Sequence, residues 1–233
     1  MPSSDPGRRE KSSLPSPPGL VIFDCDGVLV DSERISVAVE ARVLTELGFP
    51  HTEEDVVRRF VGRTSAYQLA ALEELLGPEQ TRVFDELTTQ EIHEAWDREL
   101  AAVPGVAELV RRLHEHGVPT CVASSGTHER MRKTLGLTGL DEHFIGRIYS
   151  ATEVEHGKPS PDLFLHAARS MGVDPSRCVV VEDSVYGVEA AVAAGMTVYG
   201  FTGGLVDAGA LAEAGAVLFD TMTDLADVLL SDS

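Results

Sequence analysis

The chain has 233 residues, 43% of them hydrophobic, and a formal net charge of −19. This length suits one large domain, or a core domain with an insertion. The acidic charge argues against a nucleic-acid partner, which needs a basic surface, and no apolar run is long enough to cross a membrane. We therefore expect a cytoplasmic protein, monomeric or weakly dimeric, without a nucleic-acid or membrane partner. A small anionic ligand is compatible with this charge if a few cations converge on it.

The predicted elements begin with a tail and a buried strand. Residues 1–18 are rich in Ser, Pro and charged residues and lack the apolar centre of a secretory signal, so we expect a disordered tail there. An apolar run then predicts a strand at 20–24. Similar runs of Val, Ile, Leu, Cys and Ala are typical of strands covered on both faces. They predict further strands at 118–123, 178–182, 196–201 and 216–219.

Helical patterns separate the later strands. They occupy 104–117, 160–172 and 184–195, and Ser160 is the predicted N-cap of the second. Because strand and helix alternate, the sequence predicts an α/β fold with a doubly wound, Rossmann-like parallel sheet.

The stretch after the first strand breaks this alternation. It contains no good strand and is far longer than a crossover connection requires. Its patterns predict helices at 33–48, 52–60, 64–77 and 79–100, the second with Thr52 and Asp55 close to a capping box. We therefore predict a catalytic core formed by 19–32 and 103–233, with a helical cap domain inserted at 33–102.

Polar side chains stand where the predicted strands end, and ligands of parallel α/β sheets bind beyond those ends. Asp24 and Asp26 follow the first strand, and their spacing of two places both on one side of an extended chain. Ser124 and Ser125 end the second strand just before a helix, where hydroxyls and free backbone N–H groups suit a phosphate. Singly, such motifs are more often turns or helix caps, so their weight comes from occurring together.

The third strand ends in a further pair of carboxylates, Glu182 and Asp183, and a Gly/Pro loop before it carries Lys158. Four carboxylates in one crevice oppose joint ionisation unless a cation is present, and all-oxygen ligands suit Mg²⁺. Lys158 adds a positive charge suited to phosphate. A metal site, a phosphate cradle, a lysine and a spare carboxylate are the parts of a phosphoryl-transfer site.

Four segments together resemble the motifs of the haloacid dehalogenase-like hydrolase superfamily. They read FDCDGVLVDSE, VASSG, GKPSPDLF and VVVEDSVYGVEAAVAAG, and the resemblance covers residues 20–230. A helical insert directly after the first motif resembles the helical-cap class, which includes phosphoglycolate phosphatase, β-phosphoglucomutase and sugar-phosphate phosphatases. The resemblance implies a Mg²⁺-dependent phosphatase acting on a small phosphorylated metabolite.

The resemblance also implies a role for each motif residue. Asp24 would be the nucleophile that forms an aspartyl-phosphate, and Asp26 the general acid and base. Ser124, with Ser125, and Lys158 would bind the phosphoryl group. The implied metal ligands are Asp24, the backbone carbonyl of Asp26, Asp183, and Glu182 directly or through water.

Substrate choice is expected to depend on the cap. Arg63 is a candidate to pair with a substrate carboxylate or second phosphate, and an exposed surface arginine is the equal alternative. For His128 and Arg130 we expect positions on a helix surface rather than in contact with substrate. β-Phosphoglucomutase-like members carry a histidine where this sequence has Ser36, so a phosphatase is favoured over a mutase.

Two further alternatives come from other classes of protein. A receiver-like signalling domain also gathers acidic residues, a hydroxyl and a lysine around Mg²⁺, but its motifs come in a different order and without a large insertion. A non-catalytic binding protein with this fold would not need Asp26. The three cysteines, Cys25, Cys121 and Cys178, show no zinc-binding spacing and are predicted to be small core residues.

Overall fold

The computed structural model describes residues 17–61 and 65–231. Within them lies a sheet of six parallel strands in the order β3-β2-β1-β4-β5-β6. The strands are β1 Leu20–Phe23, β2 Thr120–Ser124, β3 Ile148–Ser150, β4 Cys178–Glu182, β5 Thr197–Phe201 and β6 Val217–Phe219. The predicted α/β fold with a doubly wound parallel sheet is confirmed.

Ten α-helices occur in the described ranges. They are α1 Ser32–Glu46, α2 Glu53–Phe60, α3 Ser65–Leu76, α4 Pro78–Glu99, α5 Val106–Glu115, α6 His128–Leu137, α7 Asp162–Ser170, α8 Val185–Ala193, α9 Ala208–Ala214 and α10 Met222–Leu230. A short 3₁₀ turn at Asp141–Phe144 precedes β3, and another at Ala151–Glu153 follows it. A third, at Pro175–Arg177, precedes β4.

The central strand β1 divides the core into two layers. All four of its side chains are fully buried, because helices cover both faces of the sheet. Val21 and Phe23 point into the layer under α5, α6 and α10. Leu20 and Ile22 point into the layer under α7, α8 and α9. This alternation fixes the register of the strand, and with it the direction in which its last residues emerge.

Helices α1 to α4 form a separate bundle between β1 and α5. Their apolar side chains, among them Leu44, Val56, Phe60 and Phe84, make a third buried cluster. The two chain segments that join this bundle to the sheet run side by side, with the Asp31 N–H donating to the carbonyl of Ala101 at 3.0 Å. The boundaries 33–102 for the cap and 19–32 with 103–233 for the core stay predictions.

Local differences from the sequence predictions have identifiable causes. Strand β3 was not predicted, because it has only three residues and lies at the edge of the sheet, half-buried at its first two positions. The prediction of Ser160 as N-cap of α7 was wrong, since Pro161 holds that position and the Ser160 hydroxyl donates instead to Asp162 at 2.7 Å. The capping box of Thr52 and Asp55 is confirmed.

Two other expectations can be compared with the structure. Cys25, Cys121 and Cys178 are buried free thiols, as predicted. In the part of the chain that the structure describes, no helix combines the length and the apolar character that a membrane crossing requires.

Candidate active site

The carboxyl ends of β1, β2 and β4 open into a cavity of about 500 Å³ between the sheet and the cap helices. This volume is in the usual range for pockets that bind small molecules. From the sheet side, the cavity is lined by Asp24, Asp26, Ser124, Ser125, Lys158, Glu182 and Asp183. The described residues therefore bring together every core site residue that the sequence predicted.

A tight turn after β1 carries the first two carboxylates. The Gly27 N–H donates to the carbonyl of Val30 at 2.8 Å, and Gly27 adopts a left-handed φ of 78°. A side chain at Gly27 would also overlap the carboxylate of Asp183. The glycine is thus required both by the turn and by the close approach of β4's acidic end.

Lys158 links the ends of β1, β2 and β4. Its Nζ lies 2.6 Å from Oδ1 of Asp24 and 2.7 Å from Oε1 of Glu182, and it donates to the carbonyl of Ala123 at 3.2 Å. The Lys158 side chain is only 5% exposed. Burial alone would lower the pKa of this ammonium group, but Asp24 and Glu182 raise it above its ordinary value, so the lysine stays charged.

Glu182 is held by donors from its own turn as well as by Lys158. Its Oε2 accepts the backbone N–H groups of Asp183 at 2.9 Å and Ser184 at 2.8 Å, and the Ser184 hydroxyl at 2.9 Å. Gly187 in α8 leaves room for this carboxylate, which a Cβ at that position would overlap. Both oxygens of Glu182 therefore have protein partners, and its role as a metal ligand stays a prediction.

Asp183 lacks such partners. Its side chain is buried, and its Oδ2 has no hydrogen-bond partner. Burial raises the pKa of Asp183 well above its usual value, and the carboxylates of Glu33 and Glu182 raise it further. A buried carboxylate oxygen without a donor is a site that a cation would satisfy.

The carboxyl of Asp24 is buried beside Lys158 and two further carboxylates, Glu182 and Asp26. Burial raises its pKa to about 7, although Lys158 opposes the shift. Across the described ranges, no group of three or more His, Cys, Asp or Glu side chains is arranged to hold a metal ion. The expected donor set still fits Mg²⁺, because it combines two carboxylates, Asp24 and Asp183, with a backbone carbonyl and leaves positions for water.

Asp26 has partners of a different kind. Its Oδ1 accepts the Ser32 hydroxyl at 2.5 Å and Nη2 of Arg130 at 3.0 Å. The guanidinium of Arg130 lies 4.8 Å from the ring centroid of Trp96 in α4. Arg130 thus lines the cavity and connects Asp26 to the cap, so the expectation of a helix-surface residue was wrong. His128 pairs with Glu153 at 3.1 Å instead.

The two serines at the carboxyl end of β2, Ser124 and Ser125, stand at the cavity edge. Ser124 is buried, and its Oγ accepts the N–H of Gly126 at 3.2 Å, while Ser125 is exposed. The alternative that these serines cap the following helix was wrong, since Thr127 is the N-cap of α6. Their hydroxyls are therefore available to a ligand in the cavity.

The cap side of the cavity is acidic. Helix α1 contributes Glu33, Ser36 and Glu40, which are spaced so that they share one helix face. Burial raises the pKa of Glu33 and of Glu40 to about 7 each. The predicted substrate-binding residue Arg63 lies outside the described residues.

Comparison with known proteins identifies the family. The model of the haloacid dehalogenase-like hydrolases matches residues 18–195. The chain belongs to this family. The resemblance carried by the four motifs is thereby confirmed, and so is the predicted enzyme class, a phosphatase of the haloacid dehalogenase-like type.

Two curated relatives of this hydrolase are phosphatases. The chain is 32% identical to the 6-phosphogluconate phosphatase of Escherichia coli over 184 residues, which are 78% of this chain and 81% of the relative. It is 33% identical to a phosphorylated carbohydrates phosphatase of Thermotoga maritima over 211 residues, which are 90% of this chain and 97% of the relative. The chain is also similar to the crystal structure of a haloacid dehalogenase-like protein of unknown function from Agrobacterium tumefaciens. The two share 40% sequence identity with a TM-score of 0.81, over 91% of this chain and 97% of that one.

Sequence reasoning did not assign the roles of several residues that shape this hydrolase's cavity, although Arg130 and the segment just after the first motif were considered as substrate contacts. Ser32 and Arg130 hold Asp26, and Glu33 and Glu40 line the cap side. The sequence did contain a signal that the two glutamates face the cavity. Positions 33, 36, 37 and 40 have the spacing of one helix face and directly follow the first motif. No local pattern indicated that Arg130 would reach Asp26.

Proposed function

We propose that this hydrolase cleaves the phosphate ester of a small phosphorylated metabolite, a sugar phosphate or a phosphoglycolate-like compound, through an aspartyl-phosphate on Asp24 with the help of Mg²⁺. The observation that carries the proposal is the buried contact of 2.6 Å between Lys158 and Asp24. It places a permanent positive charge beside the carboxylate that would attack a phosphoryl group.

In the first step, an oxygen of Asp24 bonds to phosphorus while the bond from phosphorus to the ester oxygen breaks. Asp26 gives its proton to that oxygen, so the alcohol leaves uncharged. Asp26 suits this role because its carboxyl lines the cavity and is held through Oδ1 by Ser32 and Arg130. The phosphoryl group is then covalently bound to Asp24.

In the second step, Asp26 takes a proton from a water molecule, whose oxygen bonds to phosphorus. The bond from phosphorus to Asp24 breaks, which frees inorganic phosphate and restores both carboxyl groups. Dividing the reaction in this way helps because the uncatalysed hydrolysis of phosphate monoesters is among the slowest reactions known.

The remaining core residues would bind the phosphoryl group and the metal. Lys158, Ser124 and Ser125 would contact the phosphoryl oxygens. Asp24, the carbonyl of Asp26, and Asp183 would hold Mg²⁺, and Glu182 would assist through water while it positions Lys158. When bound, Mg²⁺ would offset negative charge on the phosphoryl oxygens. The unpartnered Oδ2 of Asp183 supports this assignment.

The choice of a phosphorylated carbohydrate is supported by relatives whose names include 6-phosphogluconate phosphatase and phosphorylated carbohydrates phosphatase. Arg63 stays a proposed contact for a second anionic group, from its sequence position alone. A cytoplasmic location and a monomeric or weakly dimeric state are likewise proposals from the sequence.

The test is release of inorganic phosphate from p-nitrophenyl phosphate and a panel of phosphorylated metabolites, with Mg²⁺ and after its removal. We expect activity with Mg²⁺ and none in Asp24→Asn. A wild-type protein that releases no phosphate from any compound, or an Asp24→Asn variant with full activity, would contradict the proposal.

A further inference from the structure

The side chains on the cap side of the cavity face the part of the substrate that the core motifs do not bind. We infer that the cap side selects a leaving group that is uncharged and rich in hydroxyls, and disfavours one that bears a second anion. This inference rests on the proposed function, since it concerns the alcohol that leaves when Asp24 takes the phosphoryl group. The acidic wall formed by Glu33, Ser36 and Glu40 is called the α1 wall below.

The α1 wall lines the same cavity as the reacting carboxylates. Glu33, Ser36 and Glu40 follow at three and four residues, so their side chains lie on one face of α1 and line the same cavity as Asp24 and Asp26. The phosphoryl group is expected at the sheet side, beside Lys158. The rest of the substrate must then extend toward the cap.

The chemistry of the wall calls for hydrogen-bond donors. The Oε2 atom of Glu33 is buried and has no hydrogen-bond partner. An unsatisfied buried acceptor is costly, and a ligand hydroxyl would remove that cost by donating to it. Glu40 adds a second carboxyl to the same face. A substrate carboxylate or second phosphate offers no proton to donate and would be repelled by both groups.

The cations of the cavity are paired with carboxylates of the core. Among the described residues that line it, the two cations are Lys158 and Arg130. Lys158 is held by Asp24 and Glu182, and Arg130 by Asp26. Both charges are therefore already matched by carboxylates, and the Nε–H of Arg130, which has no partner, is buried. Arg63, which lies outside the described residues, is the alternative source of such a contact and is tested separately.

The experiment compares two ligands that differ in one group. Glucitol 6-phosphate and 6-phosphogluconate share a six-carbon open chain and differ in a CH₂OH or a carboxylate at C1. Their affinities for the Asp24→Asn protein are measured by titration calorimetry with Mg²⁺ at pH 8, above the pKa of about 7 to which burial raises Glu40. We expect glucitol 6-phosphate to bind at least about tenfold more tightly. Glucose 6-phosphate and glucosamine 6-phosphate extend the series, and the ammonium group should not weaken binding.

A matched pair of variants assigns the effect to the α1 wall. Glu40→Gln removes one charge from the wall, and the preference for glucitol 6-phosphate should fall by about three- to tenfold. Glu46→Gln removes the same charge from an exposed position of the same helix and should leave the preference unchanged. Melting curves confirm that both variants are folded.

The outcomes separate this inference from the proposed function. Equal or tighter binding of 6-phosphogluconate, or no binding of glucitol 6-phosphate, overturns the inference even if the enzyme hydrolyses p-nitrophenyl phosphate. If 6-phosphogluconate binds more tightly and Arg63→Gln abolishes this difference in affinity, Arg63 sets the substrate class instead. Tight, selective binding of glucitol 6-phosphate without turnover of any ester would support the α1 wall and contradict the proposed function.

Discussion

The ammonium group of Lys158 lies 2.6 Å from the carboxylate of Asp24, although the two residues are 134 positions apart in the sequence. Their side chains are 5% and 10% exposed, respectively. Because both charges are removed from water, the loss of either one leaves the other buried without compensation. This single contact therefore serves stability and the proposed chemistry at once.

Replacement of Lys158 by Met should affect both properties. We expect turnover to fall by about 10²–10³-fold, because a charge aimed at the phosphoryl group is lost, and stability to fall by about 3 kcal/mol. The pair of Lys133 and Asp97, at 3.0 Å and 33% and 57% exposed, supplies the control, since Lys133→Met should cost about 1 kcal/mol or less. Equal effects of the two variants in denaturant titrations and phosphate-release assays would contradict the central place given to Lys158.

Replacement of Asp183 should raise the stability of the metal-free protein and weaken its binding of Mg²⁺. Asp183→Asn should raise the melting temperature of the metal-free protein, because it removes a buried charge with an unpartnered oxygen. The same variant should bind Mg²⁺ at least about tenfold more weakly, because one carboxylate ligand is lost. Calorimetry with EDTA and then with Mg²⁺ measures both. A variant that melts lower without metal and gains as much as the wild type from Mg²⁺ would argue against Asp183 as a ligand.

Arg130 should matter most when the leaving group is poor. It contacts the Oδ1 of Asp26 at 3.0 Å, and an alkoxide needs the proton from Asp26 far more than p-nitrophenolate does. Arg130→Gln should therefore slow hydrolysis of an alkyl phosphate by about tenfold more than that of p-nitrophenyl phosphate. Arg132→Gln, an exposed change in the same helix, is the control. Equal losses with the two substrates would assign Arg130 to folding alone.

The pH dependence of stability tests the burial of Glu40. Its pKa is about 7 in the folded protein, above the ordinary 4.5. Between these values the folded state keeps a proton that the unfolded state releases, so stability falls as pH rises from about 4.5 to 7. Glu40→Gln lacks this loss and should be more stable than the wild type at pH 8, by on the order of 2 kcal/mol. At pH 4 the two should match, and a constant difference across this range would show that Glu40 does not titrate as described.

The core of the site could be predicted from the sequence because each motif stands at the end of a strand. Parallel strands end at one edge of the sheet, so Asp24, Ser124 and Glu182 had to meet once the sheet was predicted. Register then decides which side chains face the cavity, and β1's alternation is fixed by its burial on both faces. The parallel direction of the strands and the local pattern together were sufficient here.

The contacts of Arg130 could not be predicted in the same way. Its partner Asp26 is 104 positions away, and the ring beneath its guanidinium, Trp96, belongs to the cap. Such contacts depend on how the cap packs against α6, which local periodicity does not record. The same holds for β3, whose three residues carry too short a pattern to stand out from a loop.

The central claim is that Asp24 is the nucleophile and Asp26 the acid and base, and one measurement tests it most directly. Wild type, Asp24→Asn and Asp26→Asn are mixed with p-nitrophenyl phosphate and Mg²⁺, quenched in acid and digested, and the peptides are searched by mass spectrometry for a phosphoryl adduct. We predict an adduct on Asp24 that persists in Asp26→Asn, because loss of the base slows the second step by about 10²–10⁴-fold. Asp24→Asn should form none. An adduct in Asp24→Asn, or one located on Asp26 in the wild type, would contradict the assignment.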